Sequence, residues 1–596
     1  MAQDETGERT AEPTAERTAE PTAEQGGAEP WWKSAVVYQV YPASFADSNG
    51  DGMGDLGGII AHLDYLVDLG VDVVWLSPIF RTPWNDSGYD VSDYQDIDQR
   101  FGTLDDFDAL LAAVHDRGLK LILDLVANHT SDEHEWFVES RQSTQSARRD
   151  WYVWQPPRRG FIGGEPGAEP TNWRSEFHES AWDFDPGTGE YFLHLYSRKQ
   201  PDLNWENPEV REAVYAMMRW WLDRGVDGFR MDVINKISKL LPFADAPEEP
   251  GRRFTNARAM YVNGPRVHEF VQEMHREALA PYGDRLLTVG ETSGVTIEHA
   301  RLFTDQARGE LDMVFTFEHV RMDQGADTFD MVPFDLVTLK AIMARWQAGL
   351  ADVGWNSLYW CNHDQPRIVS RWGNDGRYRV ESAKLLGTIL HLHRGTPYVY
   401  QGEELGMTNA VFETINDFHD VAALNYYAYE VVGGFDPDQV LTKMRRAARD
   451  NARSPMQWDD SVSAGFTTGE PWQRVNPNHM TINAAADVAD PASVWHHYRR
   501  LIELRHTHAV VAFGDFTMLL ADHPTVYAFT RRLGDETLLV IGNFSDNPIT
   551  VDIDEPFGSN WAASESLLGN YALANPDAGL SLRPWECRVQ RSRPDS

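Results

Sequence analysis

The sequence predicts an α/β fold: a (β/α)8 TIM barrel with a small domain inserted after strand 3 and an antiparallel β domain at the C-terminus. Three observations support this prediction. Eight short apolar runs alternate with amphipathic helical patterns between residues 35 and 404, two intervals are too long for ordinary loops, and the helical pattern stops near residue 515. A doubly wound open sheet gives the same alternation, but no phosphate-binding glycine loop follows the first run, which disfavours that sheet.

The eight apolar runs have the length and the branched or aromatic content of buried strands. In chain order they read AVVYQVYP, VDVVWLSPI, LKLILDLV, VDGFRMDV, LLTVGE, MVFTFEH, SLYWCNHD and TPYVYQGEE. Helical patterns such as EVREAVYAMMRWWLDRG stand between them. Strands that alternate with helices indicate a parallel sheet, and eight of them fit a closed barrel.

The remaining segments differ from the barrel in composition. The repeat TAEPTAERTAEPTAE lacks branched apolar and aromatic residues, which predicts a disordered acidic tail. The interval after strand 3 is rich in Trp, Gly and Pro, and a hairpin pattern around a Gly-Asp turn follows residue 515. The predicted division is a tail at 1–30, a barrel at 31–129 and 200–514 with a helical insertion at about 406–456, an inserted domain at 130–199, and a C-terminal β-sandwich at 515–596.

Composition limits the kinds of partner. The formal net charge is −38, and such a surface repels nucleic acid and anionic membranes. No apolar run is long enough to predict a membrane span, and we see no secretory signal. Two cysteines cannot build a disulfide framework, so we expect a reduced, cytoplasmic protein. We also expect a monomer or a homodimer.

Charged and polar residues stand where the predicted barrel strands end. They are Asp124, Asn128 and His129 after the third run, Arg230 and Asp232 in the fourth, Glu291 in the fifth, and His363 and Asp364 in the seventh. A single one of these residues could belong to a structural salt bridge. In a barrel, however, the carboxyl ends of the strands converge on one place, so we expect a pit of carboxylates.

Glycoside hydrolysis is a chemistry that needs such a pit. One carboxylic acid protonates the departing oxygen, and a second carboxylate attacks or positions water. Arg230 lies two residues before Asp232, so both side chains face the same side of a strand, and Arg230 is expected to keep Asp232 ionised. Glu291 would serve as the acid if its environment favoured the protonated form.

The motifs DLVANH, GFRMDVIN, GET and NHDQPR occur in this order and resemble the conserved regions of the α-amylase family, glycoside hydrolase family 13. The segments QPDLNWENPEV, YQGEELGMTN and ARDNARSPMQWDD resemble its oligo-1,6-glucosidase and α-glucosidase branch. The resemblance covers nearly all of residues 31–596. It implies that Asp232 is the nucleophile, Glu291 the general acid/base and Asp364 the third acid, which binds sugar hydroxyls.

The resemblance also implies residues that bind an oligosaccharide substrate. These are Asp86, Tyr89, His129, Phe177, Arg230, Val233, His363 and Arg449. Arg449 is expected to pair with Asp86, and Arg453 is the alternative partner. A far end closed by this pair would make the enzyme exo-acting.

A metal site is expected in DSNGDGMGD, where oxygen-bearing side chains alternate at the spacing that Ca²⁺ prefers. Gly58 stands where an EF-hand would need its glutamate, so this is not an EF-hand. The segment resembles the family's calcium loop. The resemblance implies a structural Ca²⁺ held by Asp47, Asn49, Asp51 and Asp55 and by the backbone carbonyl of Met53.

Val233, directly after the nucleophile, resembles a linkage marker of this branch: Val accompanies α-1,6 bonds, and Ala or Thr accompanies α-1,4 bonds. The favoured function is therefore a retaining exo-α-glucosidase that releases glucose from isomaltose and short isomalto-oligosaccharides, with transglucosylation. An α-1,4-active or broad α-glucosidase and a sucrose isomerase or transglucosylase on the same scaffold remain open. A non-catalytic transporter-associated relative would lack the carboxylates and carry a membrane span.

Overall fold

The computed structural model describes residues 29–325, 327–553, 564–572 and 580–592. The predicted disordered tail at 1–30 lies outside the described residues, except for its last two. Among the helices of the described ranges, none is both long enough and apolar enough to cross a bilayer.

Eight parallel strands form the central sheet. They are β1 Val37–Val40, β2 Val73–Leu76, β3 Lys120–Val126, β4 Gly228–Asp232, β5 Leu287–Glu291, β6 Met313–Phe315, β7 Ser357–Leu358 and β8 Thr396–Tyr400. Each pairs with its sequence neighbours, and β8 pairs with both β1 and β7. A parallel bridge between Val314 and Asn356 joins β6 to β7 and closes the sheet into a barrel. The predicted fold class is confirmed.

Sixteen α-helices lie in the described residues. They are α1 Leu56–Ala61, α2 Leu63–Leu69, α3 Leu104–Asp116, α4 Glu135–Arg141, α5 Pro208–Arg224, α6 Val267–Met274, α7 Ile297–Thr304, α8 Glu318–Arg321, α9 Leu336–Gly349, α10 Ile368–Arg371, α11 Arg379–His391, α12 Val421–Val432, α13 Pro437–Ala447, α14 Ala484–Ala489, α15 Val494–Thr507 and α16 Ala509–Phe513.

The helix before β4 shows how local sequence sets these bounds. Asn207 caps the first turn of α5 by accepting a hydrogen bond from the Glu209 N–H, and Pro208 occupies the first helical position. Gly225 ends the helix in the left-handed conformation, with φ of 114°. The chain then enters β4, which places Arg230 and Asp232 at the carboxyl end of the barrel.

The inserted domain is a small antiparallel sheet with its own aromatic core. Its strands Trp154–Gln155, Glu190–Leu193 and Trp182–Asp185 pair in that order. A further short strand, Trp173–Arg174, pairs with Thr255–Asn256 in the segment after β4, so the domain is tied to the carboxyl end of the barrel.

The C-terminal part is antiparallel. A five-stranded sheet runs in the order Asp515–Leu519, Val526–Leu533, Glu536–Asn543, Cys587–Ser592 and Glu565–Gly569, and Ile549–Val551 pairs with Leu580–Leu582. The fully buried Arg531 donates to the carbonyls of Leu392 and Val511, each at 2.7 Å, and so anchors this sheet to the barrel helices.

Candidate active site

Arg230 holds the carboxylates of three barrel strands. Its Nη1 donates to Asp124 Oδ1 and to Asp232 Oδ1, both at 2.8 Å, and its Nη2 donates to Glu291 Oε2 at 2.6 Å. Asp124 is the register partner of Arg230 across β3 and β4, so both side chains face the barrel interior. One guanidinium therefore fixes Asp232 and Glu291 beside each other at the carboxyl end of the barrel.

The protonation of this group differs from the sequence-based expectation. Burial and the negative charge of Glu291 raise the pKa of Asp232 well above its usual value, even though Arg230 acts in the opposite direction. Burial likewise raises the pKa of Asp124 to about 6, because Arg230 only partly offsets it. Three carboxylates share one cation, so Arg230 offsets only part of the penalty for an ionised Asp232. Burial and Glu291 therefore oppose the ionised form of Asp232 that Arg230 is expected to favour.

Asp364, unlike Asp232, lies next to two positively charged side chains. Its Oδ1 accepts from Arg453 Nη2 at 2.8 Å and from Arg449 Nη1 at 3.3 Å, and lies 3.5 Å from His363 Nε2. Burial raises the pKa of Asp364, but the charges of Arg449 and Arg453 lower it more, so it falls below the usual range. This carboxylate is therefore ionised and can accept hydrogen bonds from two sugar hydroxyls.

His363 connects the pit to the first strands. Its Nδ1 lies 2.8 Å from Gln39 Nε2, and its Nε2 lies 2.7 Å from Tyr89 Oη, which donates to Asp124 at 2.9 Å. The Tyr89 and His363 rings stack with centroids 5.2 Å apart. Burial lowers the pKa of His363 to about 3, so the imidazole is neutral and can donate only one hydrogen bond.

The pit is closed at one end by Asp86 and Arg449. Arg449 Nη2 donates to Asp86 Oδ1 at 3.1 Å, which is the pairing expected from the sequence, whereas Arg453 contacts Asp364. Arg449 Nε also donates to Asp420 at 3.0 Å, and Gln200 Nε2 donates to Asp86 Oδ2 at 3.2 Å. Charged and polar side chains that bind one another therefore fill this end of the pit.

His129 lies on the wall beside Tyr89 and Gln200. Its Nε2 is 3.2 Å from both the Tyr89 carbonyl and Gln200 Nε2, and burial lowers its pKa to about 4. Behind it, Lys239 pairs with Asp202 at 2.7 Å and donates to Asn128. This buried pair fixes the segment that carries His129.

Phe177 is buried beside Arg449, one of the two residues that close the pit. Its ring packs edge-on against Tyr196 at 5.7 Å, and the Arg449 guanidinium lies 5.5 Å from its centroid. The preceding residue, Glu176, accepts from Lys236 at 2.7 Å and from Arg258 at 3.0 Å. The inserted domain is thus fastened by ion pairs to the segments after β4, next to the carboxylates.

Val233 follows the nucleophile position in a strained conformation. Its φ is 38° and its ψ is 36°, in the left-handed region that β-branched residues rarely adopt. The strain turns the chain sharply out of β4, and the Val233 N–H comes within 3.3 Å of Glu291 Oε2. The side chain is buried.

The sequence did not single out several residues that shape this site. Asp124 stands out in the sequence only by its position at the end of a strand. No sequence-based prediction gives a role to Gln39, Gln200 or Asp420. Gln200 opens the segment QPDLNWENPEV, which is a signal that could have identified it. Asp420 stands in a long insertion whose path the sequence does not indicate.

The segment Asp47–Asp55 forms a tight loop whose oxygens are already hydrogen-bonded. The Asp47 carboxylate accepts backbone N–H groups of Asn49, Gly50 and Gly52 at 2.8–2.9 Å, and Asp55 caps α1. Hydrogen bonds from Thr467 and the loop lower the pKa of Asp47 although partial burial raises it. In the described parts of the chain, no three His, Cys, Asp or Glu side chains are arranged as a metal site. The oxygen donors suit Ca²⁺, but such a site would also need the Asn49 amide and the Met53 carbonyl.

Known proteins resemble the chain over most of its length. The family model for the catalytic domain of alpha amylase matches residues 39–514, and that for the C-terminal domain of maltogenic amylase matches residues 516–589. The oligo-1,6-glucosidase of Parageobacillus thermoglucosidasius is 53% identical over 94% of this chain and 99% of its own.

Two solved structures extend the similarity. The trehalose-6-phosphate hydrolase of Bacillus licheniformis has a TM-score of 0.87 and 44% identity, covering 94% of this chain and all of that one. The trehalulose synthase MutB from Pseudomonas mesoacidophila has a TM-score of 0.89 and 42% identity, covering 95% of this chain and all of that one.

Proposed function

Because the chain belongs to the α-amylase family and is a glycoside hydrolase, we propose that it is a retaining, exo-acting α-glucosidase that cleaves α-1,6 bonds. The observation that carries the proposal is that one guanidinium holds Asp232 and Glu291 side by side, in a pit whose far end is closed by Asp86 and Arg449. The proposed substrates are isomaltose and short isomalto-oligosaccharides.

In the proposed mechanism Glu291 is protonated and Asp232 is ionised when substrate binds. Asp232 attacks the anomeric carbon as Glu291 protonates the departing oxygen, which gives a covalent glucosyl-enzyme and a free leaving sugar. Glu291 then removes a proton from water, which attacks the anomeric carbon and releases Asp232. Retention requires two carboxyl groups only about 5–5.5 Å apart, and their common contact with Arg230 supports a short separation.

Binding at the closed end supports exo action. Asp86, Arg449 and Asp364 would hydrogen-bond the hydroxyls of the non-reducing glucose, while Tyr89 and His363 would contact its ring. The rest of the oligosaccharide must then extend away from the closed end. The test is the first product: isomaltotriose should release glucose and isomaltose, with the released glucose appearing initially as the α-anomer in NMR. Internal cleavage or initial β-glucose would contradict the proposal.

The acceptor is the second part of the proposal. The chain is 50–53% identical to three oligo-1,6-glucosidases, which supports water as the acceptor of the glucosyl group. The trehalulose synthase neighbour shows that the same scaffold also occurs in a synthase. We expect hydrolysis to dominate at low sugar concentration and glucosyl transfer to rise with acceptor concentration. If sucrose gives a rearranged disaccharide as its main product, the isomerase alternative is correct.

The linkage preference is tested at Val233. We expect Val233→Ala to raise the ratio of kcat/KM on maltose to that on isomaltose by roughly tenfold, because it opens space beside the leaving sugar. Val233→Thr keeps the branched shape and the strained backbone. A higher maltose-to-isomaltose ratio in this variant would show that the polarity of the side chain contributes to the linkage preference. Steady-state kinetics on both disaccharides measure it. A ratio equal to that of the wild type in both variants would remove Val233 as the linkage determinant.

Structural calcium is proposed in the loop of Asp47, Asn49, Asp51, Met53 and Asp55. Its oxygen donors would hold the ion, which would tie the segment after β1 to the segment that carries Thr467. We expect a chelator such as EGTA to lower the melting temperature by a few degrees and excess Ca²⁺ to restore it. Asp51→Asn, at an exposed ligand position, should reduce the shift, whereas the exposed Asp68→Asn should not. No change with EGTA would contradict the site.

The proposed location of the protein is the cytoplasm. Cys361 and Cys587 are both buried and unpaired, which fits a reduced, cytoplasmic enzyme. A monomer or homodimer is proposed, and light scattering on the purified chain decides between them.

A further inference from the structure

Gln39 is a buried polar side chain of the first barrel strand that the proposed mechanism does not use. It is the third of the four residues of β1, and its neighbours in the run AVVYQVYP are apolar or aromatic. Its side chain is almost completely buried, with 1% exposed. Burying an amide costs free energy unless its polar atoms find partners, so the contacts of Gln39 indicate what it does.

The amide nitrogen of Gln39 lies between two side chains. Nε2 donates to Ser77 Oγ at 3.1 Å and lies 2.8 Å from His363 Nδ1. An amide nitrogen can only donate, so Nδ1 accepts, and the single proton of the neutral imidazole stands on Nε2. An amide turned about its last bond would require the opposite tautomer, so the other nitrogen of the ring has to decide.

The other nitrogen of His363 indicates the same tautomer. Tyr89 has one hydroxyl proton, and its Oη lies 2.9 Å from Asp124 Oδ2 and 2.7 Å from His363 Nε2. The Asp124 carboxylate already accepts from two groups that can only donate, the Arg230 guanidinium at 2.8 Å and the Trp75 indole at 3.3 Å. The Tyr89 proton therefore goes to Asp124, and Tyr89 Oη accepts from the Nε2–H of His363.

Aromatic packing restricts rotation of the His363 ring. Tyr89 and Tyr41 stack on it with centroids 5.2 Å and 6.2 Å away and interplanar angles of 9° and 7°. Trp75 meets it edge-on at 6.2 Å. Because the ring is held in place, the hydrogen bonds at its two ends determine which nitrogen carries the proton.

We propose that Gln39 is a positioning residue, whose amide holds His363 in the tautomer with its hydrogen on Nε2. The inference rests on the glucosidase proposed above, in which His363 contacts the first glucose. Nε2 lies 3.5 Å from Asp364 Oδ1, so this tautomer supplies a hydrogen-bond donor next to a carboxylate that only accepts. The other tautomer would turn a lone pair towards the same carboxylate.

The first test is direct observation of the His363 proton by ¹⁵N NMR, on the full chain without substrate. Two samples contain histidine labelled at Nδ1 alone or at Nε2 alone, and the loss of a signal in His363→Asn identifies it. The wild type should show the one-bond N–H signal of His363 only in the Nε2-labelled sample. Gln39→Glu offers a carboxylate to Nδ1, so a signal should appear in its Nδ1-labelled sample.

The second test is a double-mutant cycle, measured as kcat/KM on p-nitrophenyl α-glucoside. Gln39→Met keeps the length of the side chain without its donor, and should lower kcat/KM by roughly threefold to tenfold, the value of one hydrogen bond. In the His363→Asn background the same change should alter kcat/KM by less than about twofold, because Gln39 acts through His363.

Gln347→Met is the matched control for the loss of a buried glutamine. Gln347 lies on α9 and bonds the backbone of Arg394. This variant should leave both kcat/KM and the His363 signal unchanged.

Two NMR outcomes would overturn the proposal: a wild-type signal on Nδ1 alone, or a signal that stays on Nε2 alone in Gln39→Glu. If Gln39→Glu does not fold, the wild-type spectra still decide. Equal losses from Gln39→Met with and without His363 would also overturn it, because the amide would then act independently of the imidazole. The spectra need no substrate, so they test the proposal separately from the proposed glucosidase activity.

Discussion

Replacing Asp232 by Ala is expected to lower kcat by at least about 10⁴-fold on every glucoside that the enzyme cleaves. Removal of a nucleophile leaves only binding and electrostatic contributions, and comparable losses follow removal of one member of a catalytic triad. The fold should survive, because Arg230 keeps Asp124 and Glu291 as partners. Burial also disfavours the ionised Asp232, so its loss relieves a desolvation cost.

The measurement is single-turnover and steady-state kinetics, with the melting temperature recorded in parallel. Asp68→Ala, an exposed aspartate on α2, is the matched control and should retain full activity. Asp232→Asn should be as inactive as Asp232→Ala, since an amide cannot form the glucosyl ester. A residual activity of more than about one percent in a folded Asp232→Ala variant would reject the nucleophile assignment.

The sequence could predict the position of Asp232 but not its electrostatic setting. A strand period of two places Arg230 and Asp232 on one face, and that contact is present. The other two contacts of Arg230 join residues 106 and 61 positions apart in the chain. The competition of three carboxylates for one cation depends on barrel register, which sequence periodicity does not give. That competition and the burial raise the pKa of Asp232 despite its contact with Arg230.

In the fold, too, the elements that depend on local sequence were predictable, and those that depend on distant contacts were not. Apolar runs and helical periodicity predicted the eight strands, because a barrel strand is buried on both faces and a barrel helix on one. The path of α12 could not be predicted, since its place depends on the Asp420–Arg449 contact and on the packing of Tyr426 against Phe329. The closed end was expected only through a resemblance. Its second carboxylate, Asp420, came from the structure.

Replacing Glu291 by Gln should have two effects that separate the roles of its proton and its charge. Without a proton donor, kcat/KM on isomaltose is expected to fall by about 10²- to 10⁴-fold. An aryl α-glucoside such as p-nitrophenyl α-glucoside should lose much less in the glycosylation step, because its leaving group needs no protonation. Glu212→Gln, exposed on α5, is the control and should change neither rate.

The charge of Glu291 is tested by the pH profile of the same variant. Asp232 attacks only when ionised, so activity is lost as the pH falls through its pKa. Burial and the Glu291 charge together raise that pKa, and Gln removes the second cause. The acid limb of kcat/KM on the aryl glucoside should therefore move to lower pH in Glu291→Gln. If the limb stays in place while the rate on isomaltose falls, Glu291 donates a proton without influencing Asp232, and burial alone sets the acid limb.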